Sequence, residues 1–211
     1  MMEIFFSAFV TLFVVIDPPG CAPIFYGLTT GASTQARKSM AIRSVVIATI
    51  ILLAFAIVGE RFLRALGIGL DAFRIAGGIM LFFIAMDMVF EKRTQRREDR
   101  VQKIKETPEV EDVSIFPMAM PMIAGPGSIA TVMLLMAKAH GPEASFAVIA
   151  ALLANLALMA ASLLLVGPMM RLFGQQVEAV ITRLLGVILA ALAVQFVLDG
   201  LQTGLLGGAA H

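Results

Sequence analysis

Asp17-Pro18-Pro19-Gly20 interrupts an apolar run that extends from Ile4 to Leu28. A run of that length is long enough to span a bilayer as one helix. The prolines forbid it: Pro18 and Pro19 bring no N–H to the carbonyls of Val14 and Val15, four residues back, and their rings crowd that turn. Backbone groups released in this way persist at membrane depth only where protein buries them or a polar cavity solvates them. A carboxylate falls at the same place, and an ionisable side chain inside a span points to function. The design returns 107 residues later, where Pro126 and Gly127 of Gly125-Pro126-Gly127-Ser128 stand in register with Pro19 and Gly20. Broken segments at corresponding positions of two halves mark the central site of a transporter.

The rest of the chain fits that frame. It has 211 residues, 59% of them apolar, and a mean hydropathy of +0.92, which excludes an ordinary soluble domain. Six apolar stretches are expected to span, near Ile4–Leu28, Ala41–Gly59, Leu70–Phe90, Ile115–Ala137, Ala144–Gly167 and Ala179–Leu198. The expected fold is therefore all-α and polytopic, with the first and fourth spans broken at mid-membrane. Residues 1–90 form a first three-helix repeat, 91–114 a charged cytoplasmic linker, and 115–211 a second repeat. Three spans per copy is an odd number, so the second copy enters the membrane inverted. A shift of 107 also aligns Arg64 with Arg171 and Gly67 with Gly174, and two further residues bring Arg74 onto Arg183 and Gly77 onto Gly186.

Basic residues set the orientation. With the N-terminus outside, the inner segments hold twelve Lys/Arg, seven of them between Lys92 and Lys105, against four outside. By the positive-inside rule both termini face outward. The start Met1-Met2-Glu3 has no basic region and no small-residue cleavage site, so the first span is expected to be retained.

The two breaks differ in chemistry. At the first, Asp17 with the carbonyls of Val14 and Val15 suits a cation, either an amine or a coupling ion; alternatively, Asp17 caps its own half-helix. At the second, Gly125 and Gly127 allow close approach, and the N–H groups of Ser128 and Ile129 are expected to face the cavity and hold a carboxylate. Small residues around the breaks, Gly20 and Thr131 among them, favour a compact zwitterion. Thr11, Asn155 and Gln195 are further candidate lining groups. Pro18, Pro19, Pro121 and Pro126 make the breaks, and Gly77, Gly78 and Gly186 are placed to let helices pack closely. Arg74, one turn into its span, is expected to snorkel to the outer interface, and Arg183 is its structural counterpart. An enzyme would need a nucleophile with a base, or a metal cluster. The single Cys21 has no histidine partner, and His140 and His211 lie in a loop and at the terminus. No metal, cofactor or nucleic-acid partner is expected, sodium as a coupling ion excepted. The partners are a small-molecule substrate and the lipid bilayer, with homo-oligomerisation left open.

At these motifs the chain resembles the MarC family, bacterial inner-membrane proteins also described as a six-span neutral amino acid transporter family. The resemblance covers nearly the whole length. It rests on Asp17-Pro18-x-Gly20-x-x-Pro23, Pro121-x-x-x-Gly125-Pro126-Gly127-x-Ile129-x-Thr131, Arg74-x-x-Gly77-Gly78 and Arg183-x-x-Gly186 followed by Ala193-Val194-Gln195. It implies sodium- or proton-coupled movement of small neutral amino acids such as glycine or alanine across the inner membrane. The family usually carries Asn where this chain has Asp17, which bears on the coupling ion. The alternative is a channel-like facilitator, or an exporter of another small solute.

Overall fold

The computed structural model describes residues 1–29, 31–90 and 112–207. Among these the chain is all-helical and contains no strand. Its segments are α1 (Met2–Ile16), α2 (Pro18–Leu28), α3 (Thr34–Ala65), α4 (Leu70–Val89), α5 (Ser114–Ile123), α6 (Pro126–Lys138), α7 (Pro142–Leu164) and α8 (Val166–Gly207). The spans Met2–Leu28, Thr34–Ala65, Leu70–Val89, Pro142–Leu164 and Arg183–Gly204 are each long and apolar enough to cross a membrane. The pair α5 and α6, bent by 51° at its break, makes a sixth. Apart from its last three residues, the expected linker 91–114 lies outside the described residues.

Each span carries its apolar side chains outward as well as inward. Phe6, Ile50, Ile57, Phe83, Phe146 and Leu184 are all more than 60% exposed, a surface that only lipid tails can solvate without penalty. Inside, Leu12, Ile16 and Phe25 pack with Leu52 of α3 and Leu152, Leu156 and Met159 of α7, all fully buried or nearly so. Lipid is as apolar as these side chains, so close packing rather than water exclusion must hold the helices together.

That packing is clearest between α4 and α8, which run antiparallel. Gly200 lies against Asp71 and Ile75, Gly78 against Ala193 and Val197, and Gly186 against Ala85 and Met88. A Cβ on Gly78 would stand 2.7 Å from the Ala193 carbonyl oxygen and 3.0 Å from the Val197 amide nitrogen, both immovable backbone. Its neighbour Gly77 faces α6 instead, where a Cβ would meet Leu134 at 3.1 Å. Two consecutive glycines thus admit two different helices to α4.

Two helices run further than hydropathy suggests. α3 is 32 residues long, about 48 Å at 1.5 Å per residue, where the apolar core asks for about 30 Å. Ser33 caps it, accepting from the Ala36 amide at 3.2 Å. The connection expected over 60–69 is still helical as far as Ala65, with Glu60 paired to Arg64 at 2.5 Å; the chain turns only at Gly67, where φ is 72°. α8 is 42 residues long and already begins at Val166. Gly167-Pro168, expected to close the preceding span, falls in its first turn, where proline lacks only a donor that the helix does not use.

At the end of the bundle away from the N-terminus, polar contacts fix the turns. Arg37 donates to the Thr29 hydroxyl and carbonyl, both at 3.1 Å, and lies 5.1 Å from the centre of the Tyr26 ring. Arg43 pairs with Asp112 at 2.5 Å, and Asp112 also accepts from the Ser114 amide at 3.0 Å. Ser114 and then Arg43 hold the Asp112 carboxyl below its usual range. Its stabilisation is therefore present above the ordinary carboxylate pKa and lost as pH falls through the lowered value.

Replacing Gly78 with Ala should overpack the α4–α8 contact by about 1–3 kcal/mol and lower the melting temperature in detergent by roughly 5 °C. Gly69→Ala, at a position with ordinary backbone angles and no atom within 4 Å of the new carbon, should leave the melt unchanged. Equal melts for the two variants would refute this account of the contact.

Candidate functional site

The first break is built by Asp17. α1 closes normally, with the Asp17 amide donating to the Phe13 carbonyl at 2.9 Å. Asp17 then adopts φ 56°, ψ 63°, in the left-handed region, and is the one non-glycine residue with positive φ among those described. Asp and Asn tolerate this region best because a short polar side chain can bond locally. It does so here: the carboxylate accepts from the Gly20 amide at 3.1 Å and caps α2, whose first two residues are prolines with no N–H to satisfy. Gly20 has to lack a side chain, since a Cβ there would sit 2.2 Å from Asp17 Oδ2. Asp17 is fully buried.

The second break is built differently. Phe116 and Met120 have extended backbone angles inside α5 because each precedes a proline, which disfavours the helical region. The flanking turns are wide, with Met118 bonded to Val113 and Ala124 to Ala119, five residues apart. Gly125 then precedes α6, and a Cβ on it would come within 2.3 Å of the Pro121 carbonyl oxygen. No side chain caps α6. Ile129 already bonds the Gly125 carbonyl at 3.0 Å, so its N–H, expected to face a ligand, is committed to the helix. The donors without a carbonyl four residues back inside the helix are those of Gly127 and Ser128. Both residues are buried.

The two breaks meet. α1 and α6 lie side by side and antiparallel, with Ala8 near Leu135 and Met136 at one end and Val15 near Gly127 at the other. A Cβ on Gly127 would be 3.6 Å from Val15 Cγ1, 2.5 Å from Ile84 Cδ1 and 3.6 Å from Leu81 Cδ2. Each break lies about 20 Å along its helix from the end of the bundle that holds the N-terminus, at 1.5 Å per residue. An open polar hollow was the expectation; instead, aliphatic side chains of α1 and α4 close over the first turn of α6. Val14 is fully buried and Val15 nearly so.

The other expected lining residues are distributed unevenly. Thr131 donates to the Gly127 carbonyl and Thr11 to the Ser7 carbonyl, each at 2.8 Å, so both hydroxyls are spent on their own helices. Asn155, fully buried on α7, donates to the Phe9 carbonyl of α1 at 3.1 Å and to the Ala151 carbonyl at 2.9 Å, while its Oδ1 has no partner. It ties α7 to α1 two turns before the first break. Gln195 does not line the breaks: it is exposed on α8 and donates to Asp199 at 2.7 Å. Arg74 does not simply snorkel; its guanidinium reaches Thr203 of α8 at 3.3 Å and Asp71 at 3.5 Å, with Nε buried and unpartnered. Arg183 is exposed. Sequence reasoning missed an ion pair between Lys138 at the end of α6 and Asp199 of α8. Its one local sign was Gln195 standing one turn before Asp199. Among the described residues no group of three His, Cys, Asp or Glu side chains is placed to hold a metal.

Against known proteins, the sequence profile of the MarC family integral membrane proteins matches residues 2–205. The chain belongs to the MarC family. It is similar to a UPF0056 membrane protein of Methanocaldococcus jannaschii, with 37% identity over 97% of this chain and 99% of that one. It is likewise similar to the UPF0056 membrane proteins YvbG of Bacillus subtilis (35% identity, 96% of each chain) and YhcE of Escherichia coli (32%, 94% and 92%). No solved structure matches. Membership makes this an integral multi-pass membrane protein, in agreement with its spans.

In this MarC protein Gly20→Ala should push the Asp17 carboxylate off the Gly20 amide and cost about 1 kcal/mol, the worth of a helix cap. Asp17→Ala should lose the same cap, plus about 1 kcal/mol or more for a non-polar residue at positive φ. The double variant should be no worse than Asp17→Ala alone, because the clash disappears with the carboxylate. Additive losses in denaturant or thermal melts would show that the carboxylate does not occupy this position.

Proposed function

We propose that this MarC-family protein is a secondary transporter that moves a small zwitterion, a neutral amino acid of the size of glycine or alanine, across the inner membrane by alternating access. One observation carries the reading. Gly127 and Ser128, in the first turn of α6 after an exposed Pro126, are buried at mid-span with no side-chain cap, and Gly127 lies against Val15, two residues before Asp17. A helix start buried without partners holds unsatisfied donors and a partial positive charge. A carboxylate supplies both the acceptor and the charge; an aliphatic contact supplies neither. On this reading Gly125, Gly127 and Ser128 take the carboxylate once the seam opens. Asp17, with the carbonyls of Val14 and Val15, faces the ammonium or a coupling sodium or proton, and Gly20 leaves room for the Asp17 carboxylate itself.

The order of elements supports two inverted repeats: in each half a broken helix is followed by two long ones. The packing is compatible with an exchange of halves, since α1 lies along α7 as α5 lies along α3, α2 meets α8 as α6 meets α4, and α4 and α8 face each other. The Lys/Arg asymmetry supports an orientation with both termini outside. A carrier is favoured over the channel-like alternative because the seam between the breaks is closed by packed side chains, whereas a pore needs a continuous open path. The reading is of transport alone and invokes no catalytic step.

The purified protein should melt at a temperature raised by several degrees with glycine or alanine present at about 100 times its Kd, which corresponds to about 2.7 kcal/mol of linkage. Sodium is varied in the same screen. Asp17→Asn should keep the fold, since Asn also tolerates positive φ and caps helices, while its response to sodium or pH changes. A wild-type melt indifferent to every amino acid and to sodium would remove the substrate and ion assignments together.

A further inference from the structure

At the end of the bundle that holds the N-terminus, α1, α6 and α7 part around a cleft of about 400 Å³. Glu3 and Ser7 of α1 lie on one wall, Lys138 and His140 at the end of α6 on the other, and Ala8 and Val148, both 1% exposed, form the floor. Below the floor α1 and α6 continue together to Val15 and Gly127. The cleft therefore sits over one end of the α1–α6 contact, whose other end is at the two breaks, with the Ala8–Val148 packing between them.

Lys138 belongs to two places at once. Its side chain lines the cleft, while its ammonium pairs with Asp199 of α8 and lies 4.8 Å from the centre of the Phe196 ring. Asp199 is fixed independently. Its second oxygen accepts from Gln195 at 2.7 Å, and its carbonyl accepts from Thr203, which in turn accepts from Arg74 at 3.3 Å. Asp199 thus keeps polar partners and a nearby guanidinium if Lys138 leaves. Lys138 is the movable member: a point charge on a four-carbon stem, with 38% of its side chain exposed.

We propose that this cleft is an entry site for a free carboxylate, and that Lys138 is shared between that carboxylate and Asp199. An arriving carboxylate competes with Asp199 for one ammonium. When it wins, the tie between the end of α6 and α8 is released, and α6 is the helix whose other end is the second break. Glu3 on the facing wall offers a place to an ammonium and repels a second negative charge. The cleft therefore suits an amino-acid zwitterion better than a bare anion. The inference rests on the reading of the breaks as the substrate site.

The chain's one cysteine is a built-in reporter, since Cys21 is fully buried in the first turn of α2 beside the break. With the full-length protein in phosphatidylcholine nanodiscs, the rate of Cys21 modification by a charged methanethiosulfonate is measured. Asp199→Asn and Lys138→Gln should each raise it roughly three-fold, the scale of a partly exposed ion pair, and the exchanged pair Lys138→Asp with Asp199→Lys should restore the wild-type rate. Acetate and L-alanine should accelerate labelling of the wild type but not of Lys138→Gln, and methylamine should do neither. The proposal is overturned by an unchanged rate in Asp199→Asn, by an exchanged pair that stays fast, or by methylamine matching acetate. A rate raised by adding phosphatidylglycerol but not by acetate assigns the cleft to lipid headgroups instead. If amino acids shift the melt while labelling stays flat, the latch falls and the carrier reading stands. If Asp199→Asn speeds labelling while no amino acid shifts the melt, the carrier reading falls and the electrostatic tie remains.

Discussion

A peptide N–H or C=O inside hydrocarbon has no water to turn to, and the two adjacent prolines of the first span remove two donors at mid-membrane. Most of what is unusual in this fold answers that loss. Asp17 turns into the left-handed region, where its own amide still closes α1 and its carboxylate opens α2. Gly20 has no side chain because that carboxylate occupies the space. The second span meets the same loss by another route, widening its turns around Pro117 and Pro121 and leaving the Pro121 carbonyl hard against Gly125. One break is capped from within by its own carboxylate. The other leaves its helix start bare. Set side by side, they are an asymmetric pair made from similar sequence parts.

How much of this the sequence reveals depends on how local each cause is. Spans and breaks were legible because hydropathy and the missing proline N–H act within a few residues. The capping role of Asp17 was legible as one of two alternatives for the same reason. Helix ends were not: α3 runs through Glu60 and Arg64, which pair along its surface, and stops at a glycine turn that no hydropathy window registers. The commitment of the Ile129 N–H follows from where α6 begins, and one residue of register decides it. The contacts of Gln195 and Arg74 depend on which face of α8 meets α4. The closure of Gly127 by Leu81 and Ile84 joins residues more than forty positions apart, and the signals α4 does carry, Arg74 and the Gly77-Gly78 pair, do not point to it.

The glycines of α4 tie these features together. Gly77 brings α4 to α6 and Gly78 brings it to α8, so a single helix touches the half-helix that carries the bare N-terminus and the long antiparallel helix behind it. Such contacts depend on close backbone approach, and tightly packed interfaces switch between discrete arrangements rather than deforming continuously. On the proposed alternating-access reading, motion of α6 is most economical as a unit, moving against α4 and α1, with its far end fastened to α8 through Lys138.

The closed seam sets the energy scale of such a motion. Exposing the first turn of α6 to water separates Gly127 from Val15, Leu81 and Ile84, and uncovering an aliphatic side chain costs about 1.5–3 kcal/mol when complete. Partial exposure of three such groups costs several kcal/mol. Against this stands the relief of buried amides at an uncapped helix start, about 1–3 kcal/mol for each donor that gains an acceptor. A ligand shifts a two-state equilibrium only through its differential affinity, and about 5.5 kcal/mol carries it from one extreme to the other. A carboxylate bound to the two free donors, with an ammonium beside Asp17, lies in that range; an uncharged or purely aliphatic solute does not. On the carrier reading proposed above, the aliphatic seal and the bare amides act together: the seal would keep the site shut when empty, and the amides would make a zwitterion the kind of molecule able to open it.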